Sequence, residues 1–591
     1  MRSELITLRR DMADWMSRHP GESVLDYCMR LAVTAVVLLF PATGLLLDRA
    51  DSYSLLLLLI TGMAAWTQGR FHTGFGRQEW LYASVFLLFF SVGVLAFACG
   101  HETDYGFRLL GRYLRLLLVL PALMALRRYR PPALLVWAGL GLGALALGVD
   151  AVLERALASD IDQPMGDTNV AILFGDMALL TAFGFAAGYV YVDGRLPRLG
   201  PKLLWLGILA GMTACFLSGA RGAWLAIPVL LVLFLTCSHL VRPRSVLLGG
   251  IVIVMLFTAL YTVPETKVRV RLDNAVEQLR TYVYVKQSLE NAPAPICLDD
   301  PILLKAWVAE GVRSSDPEFH INVVSAPVKW RQQLLKNGCV HATMLRLTNV
   351  QSHDPNWIYL PRAIRGKHGA AVANLLVSGA GWMHLGVGPR SERRIFPPLM
   401  QSVELHTYWK RSGRLAVVVA PQSAIYMVPL ELYTGEYRYA LLQTSVGQRL
   451  EMWHVAWRLF LKAPVVGVGT GGYMSSAQKL VDEGTAPPIT SIYDHPHNEF
   501  LDALSSRGLV GLAALLLLFG VPAWLFARGL GSRDPARMGA SLGGLLVCVG
   551  FPVFGLSETM LVHSVTLGWY VIMTAIFMAT AESNEVEGRG E

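Results

Sequence analysis

Long apolar runs separated by short polar gaps fill the first 263 residues of the chain and return after residue 507. Each run approaches the roughly 20 residues that an α-helix needs to cross the hydrocarbon core of a bilayer. Helices are expected because every backbone group there must find its partner inside the segment. The pattern predicts an all-α polytopic membrane protein with about 12 transmembrane helices. The runs are 28–47, 52–66, 80–99, 109–126, 133–153, 169–191, 202–219, 222–240, 245–263, 508–527, 540–560 and 563–581.

The pattern changes between the ninth and tenth runs, over residues 264–507. From 284 to 434 the apolar runs are short, as in Ala416–Ala420, and Asp- and Pro-containing turn signals separate them. These features predict an inserted soluble α+β domain of about 150 residues, which is large enough for a core of its own. The remaining part, 445–507, is predicted to form helices and loops beside the membrane.

A glycine-rich stretch, Gly467 to Gly472, follows a predicted helix that ends near Lys462. It lacks the lysine of a phosphate-binding P-loop and follows a helix rather than a strand. We interpret it as a turn that lets the backbone come close to a ligand or to a neighbouring helix.

Composition agrees with a membrane protein, since 53% of the residues are hydrophobic and only 16% are charged. The formal net charge of +8 does not indicate nucleic-acid binding, because most arginines lie in the gaps between apolar runs, where positive charge marks the cytoplasmic side. The gap residues that set this orientation include Arg9, Arg10, Arg70, Arg77, Arg127, Arg128, Arg195, Arg198, Arg242, Arg244, Arg528 and Arg533. They place both termini in the cytoplasm and residues 264–507 outside.

The chain is therefore predicted to have four parts. Residues 1–263 form transmembrane helices 1–9, residues 264–507 form a large external region, and residues 508–581 form transmembrane helices 10–12. An acidic cytoplasmic tail, 582–591, follows. Of the seven cysteines, Cys297 and Cys339 lie in the polar external region, where a disulfide can form if that region faces an oxidising compartment. No spacing rule demands this bond.

Several arginines lie on the predicted outer side, against the topological trend. Arg112 and Arg115 share one face at the outer end of the fourth run, and Arg221 lies in a sharp reversal between the seventh and eighth runs. An arginine at membrane depth costs about 2.5–3.5 kcal/mol on insertion scales, so it usually has a partner or a function. These arginines either extend to the outer interface or bind a ligand. Their common depth favours an anionic ligand.

The stretch from Asp494 to Asn498 places two histidines just before the last group of apolar runs. A histidine at a membrane–water boundary titrates near neutrality, so His497 is a candidate base. The alternative is a proline-containing turn that leads into a helix. Asn498 either orients His497 or the acceptor, or it caps that helix, and Asp494 and His495 are candidate supporting residues. Metal binding by Asp494, His495 and His497 is an alternative, but we expect no metal because no Asp-x-Asp pair stands at a suitable outer position.

These residues together indicate chemistry on a lipid-linked phosphate. The predicted phosphate-binding residues are Arg221, Arg449, Arg112 and Arg115, because guanidinium groups keep their charge and bind phosphate oxygens in a bidentate manner. His497 would take a proton from an acceptor hydroxyl, which would attack an anomeric carbon. The arginines would stabilise the charge that grows on the leaving pyrophosphate.

Three segments carry a resemblance to a known family. The sequence is similar to the bacterial O-antigen ligase and polymerase superfamily, and most similar to its ligase branch, whose signature is a histidine followed by Asn, Ser or Gln, nine residues and Gly-x-x-Gly. His497, Asn498, Gly508 and Gly511 fit that register. The segments are SGARGAWLA (218–226), SVGQRLEMWHVAWRLFLKAPVVGVGTGGY (445–473) and HPHNEFLDALSSRGLVGL (495–512).

The resemblance also bears on other candidate residues. It carries the functional arginines of the family onto Arg221 and Arg449, and less directly onto Arg112 and Arg115. The stretch Asp167-Thr168-Asn169 resembles a further family segment and makes Asn169 a candidate supporting residue.

The family implies an inverting, metal-independent glycosyltransferase with a membrane fold of the C type and no cofactor. Its members act at the periplasmic face of the bacterial inner membrane on a glycan linked to undecaprenyl pyrophosphate. Ligases pass the glycan to the lipid A core of lipopolysaccharide, whereas relatives polymerise repeat units or glycosylate pilin-type proteins. The insertion at 284–434 departs from the compact loop of the family, so it either binds an unusual acceptor or only extends the loop. We favour a ligase, with a polymerase or protein O-oligosaccharyltransferase as the alternative and a transporter without chemistry as a third reading.

Overall fold

The structure, a computed structural model, divides into two compact units. The helical unit contains Met1–Leu272 and Glu451–Glu591, and the inserted unit contains Asp273–Leu450. The described residues are 15–68, 75–100, 104–157, 164–168, 170–237, 445–483 and 485–582, with strands, short segments and single positions between 251 and 431.

The described part contains sixteen α-helices that we number here in chain order. They are α1 (Val24–Leu46), α2 (Ala50–Thr67), α3 (Arg77–Cys99), α4 (Asp104–Leu117), α5 (Val119–Tyr129), α6 (Ala133–Leu157), α7 (Ala171–Ala187), α8 (Tyr189–Arg195), α9 (Gly200–Ser218), α10 (Arg221–Cys237), α11 (Val328–Lys336), α12 (Ser445–Lys462), α13 (Tyr473–Asp482), α14 (Glu499–Gly529), α15 (Pro535–Phe554) and α16 (Ser564–Glu582). Short 3-10 helices lie at Gly166–Thr168 and Pro488–Ser491.

Nine helical segments of the described residues are long and apolar enough to cross a membrane, with α4 and α5 counted as one. Two shorter apolar helices, α7 and α10, lie at the predicted runs 169–191 and 222–240. The predicted run 245–263 falls largely outside the described residues, as does the tail after Glu582. The chain is therefore a multi-pass membrane protein, as its sequence predicts.

Burial identifies the centre of the helical unit. The apolar segments of α15 and α16 are 78% and 83% buried, whereas those of α1, α2 and α3 are half-buried or less. A helix that buries only one side presents its other apolar side chains to lipid. The two central helices therefore carry the loop between them, 555–563, at the end of a fixed core.

The fourth predicted run, 109–126, is not one continuous helix. The structure divides it at Leu118 into α4 and α5, and α4 begins earlier, at Asp104. Helix α4 buries Tyr105, Leu109 and Tyr113 on one face and leaves Phe107 and Leu114 exposed on the other. This amphipathic pattern suits a helix at the boundary between protein, lipid and water.

The inserted unit, which was predicted to be α+β, contains helix α11, the start of α12 and two antiparallel sheets among its described residues. One sheet has the order β3-β4-β11-β6-β9, with β1 also paired to β11, and the other has the order β2-β5-β10-β7-β8. The strands are β1 (Ile296–Cys297), β2 (Val312–Arg313), β3 (His320–Ser325), β4 (Thr343–Thr348), β5 (Asn356–Tyr359), β6 (Val372–Gly379), β7 (Gly381–Leu385), β8 (Arg394–Ile395), β9 (Gln401–His406), β10 (Arg414–Val419) and β11 (Ala424–Glu431).

A small core and a disulfide stabilise the inserted unit. Trp330 and Leu334 of α11 pack with Met344 of β4 and Val428 of β11. Cys339, beside this core, is disulfide-bonded. The free cysteines are Cys28, Cys99, Cys215, Cys237 and Cys548, which leaves Cys297 as the remaining one of the seven.

Candidate active site

Four side chains of the helical unit form a continuous hydrogen-bonded chain. His497 Nδ1 lies 2.7 Å from Glu558 Oε1, and His495 Nε2 lies 3.3 Å from the same oxygen. The other ring nitrogen of His495, Nδ1, lies 2.8 Å from Asp494 Oδ1. Glu558 is only 2% exposed, whereas the His497 side chain is 19% exposed. The chain Asp494–His495–Glu558–His497 therefore runs through a buried carboxylate to a partly accessible imidazole.

Asn498 joins the two segments that carry this chain. It is the N-cap of α14, because its side-chain oxygen accepts hydrogen bonds from the backbone N–H groups of Phe500 and Leu501. Its Nδ2 donates to the carbonyl of Leu556, at 2.9 Å. The structure thus gives Asn498 the capping role, together with a link to the loop that carries Glu558. It holds the backbone on both sides of the His497–Glu558 pair.

The backbone of His497 is also unusual. Its φ of +50° lies in the left-handed region, which side chains with a Cβ rarely adopt. The Tyr493 ring packs edge-on against the imidazole, with 4.9 Å between ring centroids. These constraints hold the ring in one place beside Glu558.

Hydrogen bonds shift the pKa values of the side chains in this series. Burial would raise the pKa of Glu558, but its hydrogen bonds to His495 and His497 lower it well below its ordinary range. Burial opposes charge on His495, yet its bonds to Asp494 and Glu558 raise the pKa of the imidazole to about 10. Burial likewise opposes charge on Asp494, but the bond to His495 lowers its pKa to about 2.

These protonation states define the role of each nitrogen of His497. An ionised Glu558 can only accept hydrogen bonds, so Nδ1 of His497 must donate its proton to it. A neutral imidazole then carries its lone pair on Nε2. The arrangement therefore presents Nε2 as a base, with the tautomer fixed by the carboxylate behind it.

Two further groups border the chain, His563 and Arg112. The rings of His563 and His495 are 5.6 Å apart. Burial, together with the charges of His495 and Arg112, lowers the pKa of His563 to about 4 in spite of Glu558. Arg112 donates from Nη1 to the carbonyl of Val562, at 2.7 Å. The predicted arginine Arg112 therefore lies next to the histidine cluster.

Arg115 has a different environment from Arg112. Its Nε donates to Asp51 at 3.2 Å, and its Nη2 donates to Ser52 at 2.9 Å. Asp51 is buried, and a buried carboxylate needs such a partner. The contact between Arg115 and pyrophosphate stays a prediction.

Arg221 is placed by its backbone. It begins α10, directly after the sharp reversal that the sequence predicts, while its side chain lies outside the described part. A Cβ built at Gly222 would clash with the Ser557 hydroxyl. The reversal therefore packs on the loop that carries Glu558.

The other two predicted residues stay predictions. Arg449 is half-buried near the start of α12, within the inserted unit, and Asn169 lies outside the described residues.

The hydrogen-bonded series Asp494–His495–Glu558–His497 also contains a donor set that suits a metal ion. His495 Nε2, His497 Nδ1 and a Glu558 oxygen lie within 4.8 Å of one another. Asp494 holds the second nitrogen of His495, as carboxylates do behind zinc-bound histidines. Two histidines and a carboxylate are a common zinc ligand set. The alternative to a metal ion is the arrangement that the structure shows, in which hydrogen bonds join both histidines to Glu558.

The backbone of the glycine-rich stretch packs against helix α14, which follows the site. Helix α14 is broken at Gly508, where φ is +64°, and a Cβ there would clash with the backbone of Val465. The groups released by this break bond to the segment before α13: Val468 N–H to Ser505 C=O, Gly469 N–H to Ser506 C=O, and Leu509 N–H to Pro464 C=O, at 2.8–3.0 Å. Of the two readings of the glycines, the structure therefore shows close approach to a neighbouring helix.

A buried ion pair lies just before the same break. Arg507, 1% exposed, donates to Asp502 at 3.0 Å and to the hydroxyl of Tyr113 at 2.6 Å. Its guanidinium also lies 4.9 Å from the centroid of the Phe89 ring. These contacts join α14 to α3 and α4, so the helix that follows His497 has a fixed direction.

Glu558 and His563 were missing from the residues that the sequence predicts. Both lie at the edges of apolar runs that read as ordinary spans, 540–560 and 563–581. The available signal was the carboxylate itself, because an ionisable residue within an apolar run marks a functional site by default.

The fold and the site together define a multi-pass membrane protein with a histidine–carboxylate site where its central helices end. Residues 405–516 match the family described as O-Antigen ligase, and this segment contains His497, Asn498, Gly508 and Gly511. The chain thus carries an O-antigen ligase family domain. It is also similar to an uncharacterised protein of Haemophilus influenzae, with 29% identity over 121 residues. That similarity covers 20% of this chain and spans about 30% of the length of the curated relative.

Proposed function

We propose that the protein is an inverting glycosyltransferase of the O-antigen ligase type. It moves a glycan from undecaprenyl pyrophosphate to the lipid A core of lipopolysaccharide at the periplasmic face of the bacterial inner membrane. The observation that carries the proposal is the hydrogen bond between His497 Nδ1 and Glu558, in which His497 lies within the family-matched segment just before a membrane-spanning helix. It supplies an oriented base where a membrane-anchored donor would present its head group.

The reaction requires one proton transfer and one displacement. An acceptor hydroxyl gives its proton to Nε2 of His497 while its oxygen forms a bond to the anomeric carbon of the donor glycan. The bond from that carbon to the pyrophosphate oxygen breaks, and the leaving oxygen keeps the electron pair. Attack from the opposite face inverts the anomeric configuration. Glu558 stabilises the imidazolium of His497 that results.

Arginines are proposed to stabilise the charge on the leaving pyrophosphate. Arg112 supports this assignment by lying beside the histidine cluster, and Arg221 by following a turn that packs on the loop of Glu558. Arg449 and Arg115 complete the proposed set. Guanidinium groups in a site of low polarity stabilise developing charge far more than they do in water.

Three features support the orientation and the metal independence that we propose. The distribution of arginines places both termini in the cytoplasm. A disulfide at Cys339 suits a periplasmic inserted unit, because disulfides persist in oxidising compartments. His495 is held between two carboxylates, which favours the protonated ring, and a protonated imidazole has no lone pair left for a metal ion.

A polymerase or a protein O-oligosaccharyltransferase is the second candidate. Both use the same donor and the same base, and they differ only in the acceptor. The inserted unit, with two antiparallel sheets, is the observation that favours a different acceptor, because it adds a surface of its own to the external region.

Transfer by purified full-length protein with a defined lipid-linked donor separates these functions. Lipid A core, a second lipid-linked glycan and a pilin-type protein would be offered separately, with and without EDTA. The proposal expects transfer to lipid A core in both conditions, and transfer slowed by roughly 10²-fold or more in His497→Ala. Products only on the glycan or the protein would reject the ligase assignment, and loss of activity with EDTA, restored by zinc, would favour the metal reading.

A further inference from the structure

A cavity with charged and apolar lining residues lies at the opposite end of the helical unit from the histidine site. It has a volume of about 350 Å³ and lies between the middle of α1, the starts of α6 and α15, and the ends of α5, α8 and α16. Its charged lining residues are Arg130, Arg195 and Asp534. Helix α15 sets the distance between the cavity and the histidine site, because Asp534 precedes its first residue and Glu558 follows its last. Its 20 residues span about 30 Å. The cavity is therefore independent of the proposed active site.

Two exposed guanidinium groups give the cavity its charge. The Arg195 guanidinium lies over the Tyr191 ring, 4.7 Å from its centroid, which limits its movement. Arg130 is the C-cap residue that follows α5, with a φ of +39°, and two prolines come after it, so its backbone is fixed as well.

Asp534 is the only acidic residue among the lining residues of this cavity. Its carboxylate accepts hydrogen bonds from the backbone N–H groups of Ala536 and Arg537, at 3.1 and 3.2 Å. It therefore caps α15, and its charge is partly compensated by that helix end. Two arginines and one aspartate leave the lining with a net charge of +1.

The inner wall of the cavity is apolar. Leu126, Val136 and Ile576 line it, and each is at most 2% exposed in the folded chain. They belong to helices of membrane-spanning length or composition, so the wall continues into the part of the unit that lies in the bilayer. A charged rim above an apolar wall matches a molecule with an anionic head and an apolar body.

We propose that this cavity binds the head group of a phospholipid with one net negative charge, such as phosphatidylglycerol, in the cytoplasmic leaflet. The distribution of arginines assigns this end of the helices to the cytoplasm, where basic pockets between helices bind anionic lipid head groups. Arg130 and Arg195 contact the phosphate, and the capped Asp534 accepts hydrogen bonds from the hydroxyls of the glycerol head. A head group of charge −1 neutralises the +1 of the lining.

Native mass spectrometry of the full-length protein in detergent tests this site. Phosphatidylglycerol would be titrated against the wild type, the double variant Arg130→Gln/Arg195→Gln and the control Arg128→Gln. The control removes an arginine that lies two positions from Arg130 but does not line the cavity. We expect the tightest binding of phosphatidylglycerol to weaken about tenfold or more in the double variant, because two charge-assisted hydrogen bonds are lost, and to be unchanged in the control.

Four results would overturn the proposal. These are unchanged binding by the double variant, an equal loss in Arg128→Gln, equal affinity for phosphatidylethanolamine, and displacement of the lipid by millimolar inorganic phosphate. A second variant, Ala579→Phe, fills the cavity and keeps both arginines, which covers the case in which the double variant does not fold. This variant should weaken the binding of phosphatidylglycerol to a similar extent. Binding at the wild-type level would also contradict the proposal.

Discussion

At the scale of single residues, the site depends on how Glu558 satisfies its buried charge. Its Oε1 accepts hydrogen bonds from His497, His495 and the backbone N–H of Thr559. A buried carboxylate without such partners would be strongly destabilising. The same contacts that make Glu558 tolerable in the core also fix the tautomer of His497. Stability and the proposed chemistry therefore share one set of hydrogen bonds.

His495 should give the fold a measurable pH dependence. Its folded-state pKa of about 10 lies above the ordinary 6.5, so protonation favours the folded protein. The stabilisation is complete below about pH 6.5 and is lost as the pH rises towards 10. We expect the melting temperature of the wild type in detergent to fall over this window, and His495→Asn to have a lower melting temperature with a flatter dependence. The exposed His454 supplies the control His454→Asn, and a wild-type slope in His495→Asn would contradict this account.

Arg221 and Arg449 should depend on geometry as well as charge. Replacement of either by lysine keeps the charge but removes the planar fork that binds phosphate oxygens in a bidentate manner. We expect the transfer rate to fall by roughly tenfold to a hundredfold, since one to two strong hydrogen bonds are lost. Steady-state kinetics on a lipid-linked donor measure this, with the exposed Arg533→Lys as the control. Near wild-type turnover in both lysine variants would indicate that these arginines serve topology alone.

The residue scale also shows what sequence could and could not predict. His497 and Asn498 are adjacent, and Gly508 follows after nine further residues, so the three form a local sequence pattern. Glu558 is 61 positions from His497, and the hairpin of α14 and α15 brings it there. A contact made by tertiary packing leaves no local sequence pattern. The one available signal for Glu558 was therefore a carboxylate within an apolar run.

At the scale of elements, the break in α14 organises the surroundings of the site. The predicted tenth span begins at Gly508, where the structure has the break, and the helix itself begins at Glu499. The first nine residues fall outside the predicted span because charged side chains interrupt the apolar pattern there. Buried partners, such as Asp502 for Arg507, allow those charges inside the fold. Local polarity therefore placed the boundary nine residues too late.

Gly508 and Gly520 form a matched pair for testing this break. Gly508 has a positive φ and no room for a Cβ, whereas a Cβ at Gly520 meets nothing within 4 Å. We expect Gly508→Ala to destabilise the fold by about 2 kcal/mol or more, since left-handed strain and the clash add together. Gly520→Ala should be neutral or slightly stabilising. Thermal unfolding in detergent measures both, and equal melting temperatures would contradict the described packing.

At the scale of the whole molecule, hydropathy predicts the helical unit better than the inserted one. Eleven of the twelve predicted runs coincide with described helices, because the requirement for backbone pairing in lipid leaves few alternatives. The inserted unit was predicted as α+β, and its described residues contain helix α11, the start of α12 and two sheets. Short strands whose pairing is non-local leave a weaker pattern than a membrane span does. Its order of strands was accordingly not predictable.

The proposed placement of the inserted unit outside the cytoplasm has a chemical test. Membranes from cells would be denatured and alkylated with N-ethylmaleimide, then reduced and treated with a maleimide polymer. We expect two thiols per chain to become reactive only after reduction, at Cys297 and Cys339, because a disulfide persists in an oxidising compartment. In Cys339→Ser no thiol should be released. A wild type without any protected thiols would place this unit on the cytoplasmic side or leave its cysteines unpaired.

The central claim is that His497 acts as the base because Glu558 holds it, and the turnover of purified variants tests this most directly. Glycan transfer from a defined lipid-linked donor would be measured for the wild type, His497→Ala, Glu558→Gln and the double variant, with the exposed Glu483→Gln as control. We expect each single variant of the pair to lower kcat by roughly 10²- to 10⁴-fold with little change in KM. The double variant should be no slower than His497→Ala, because the two side chains act as one unit. Wild-type kcat in folded Glu558→Gln would contradict the account.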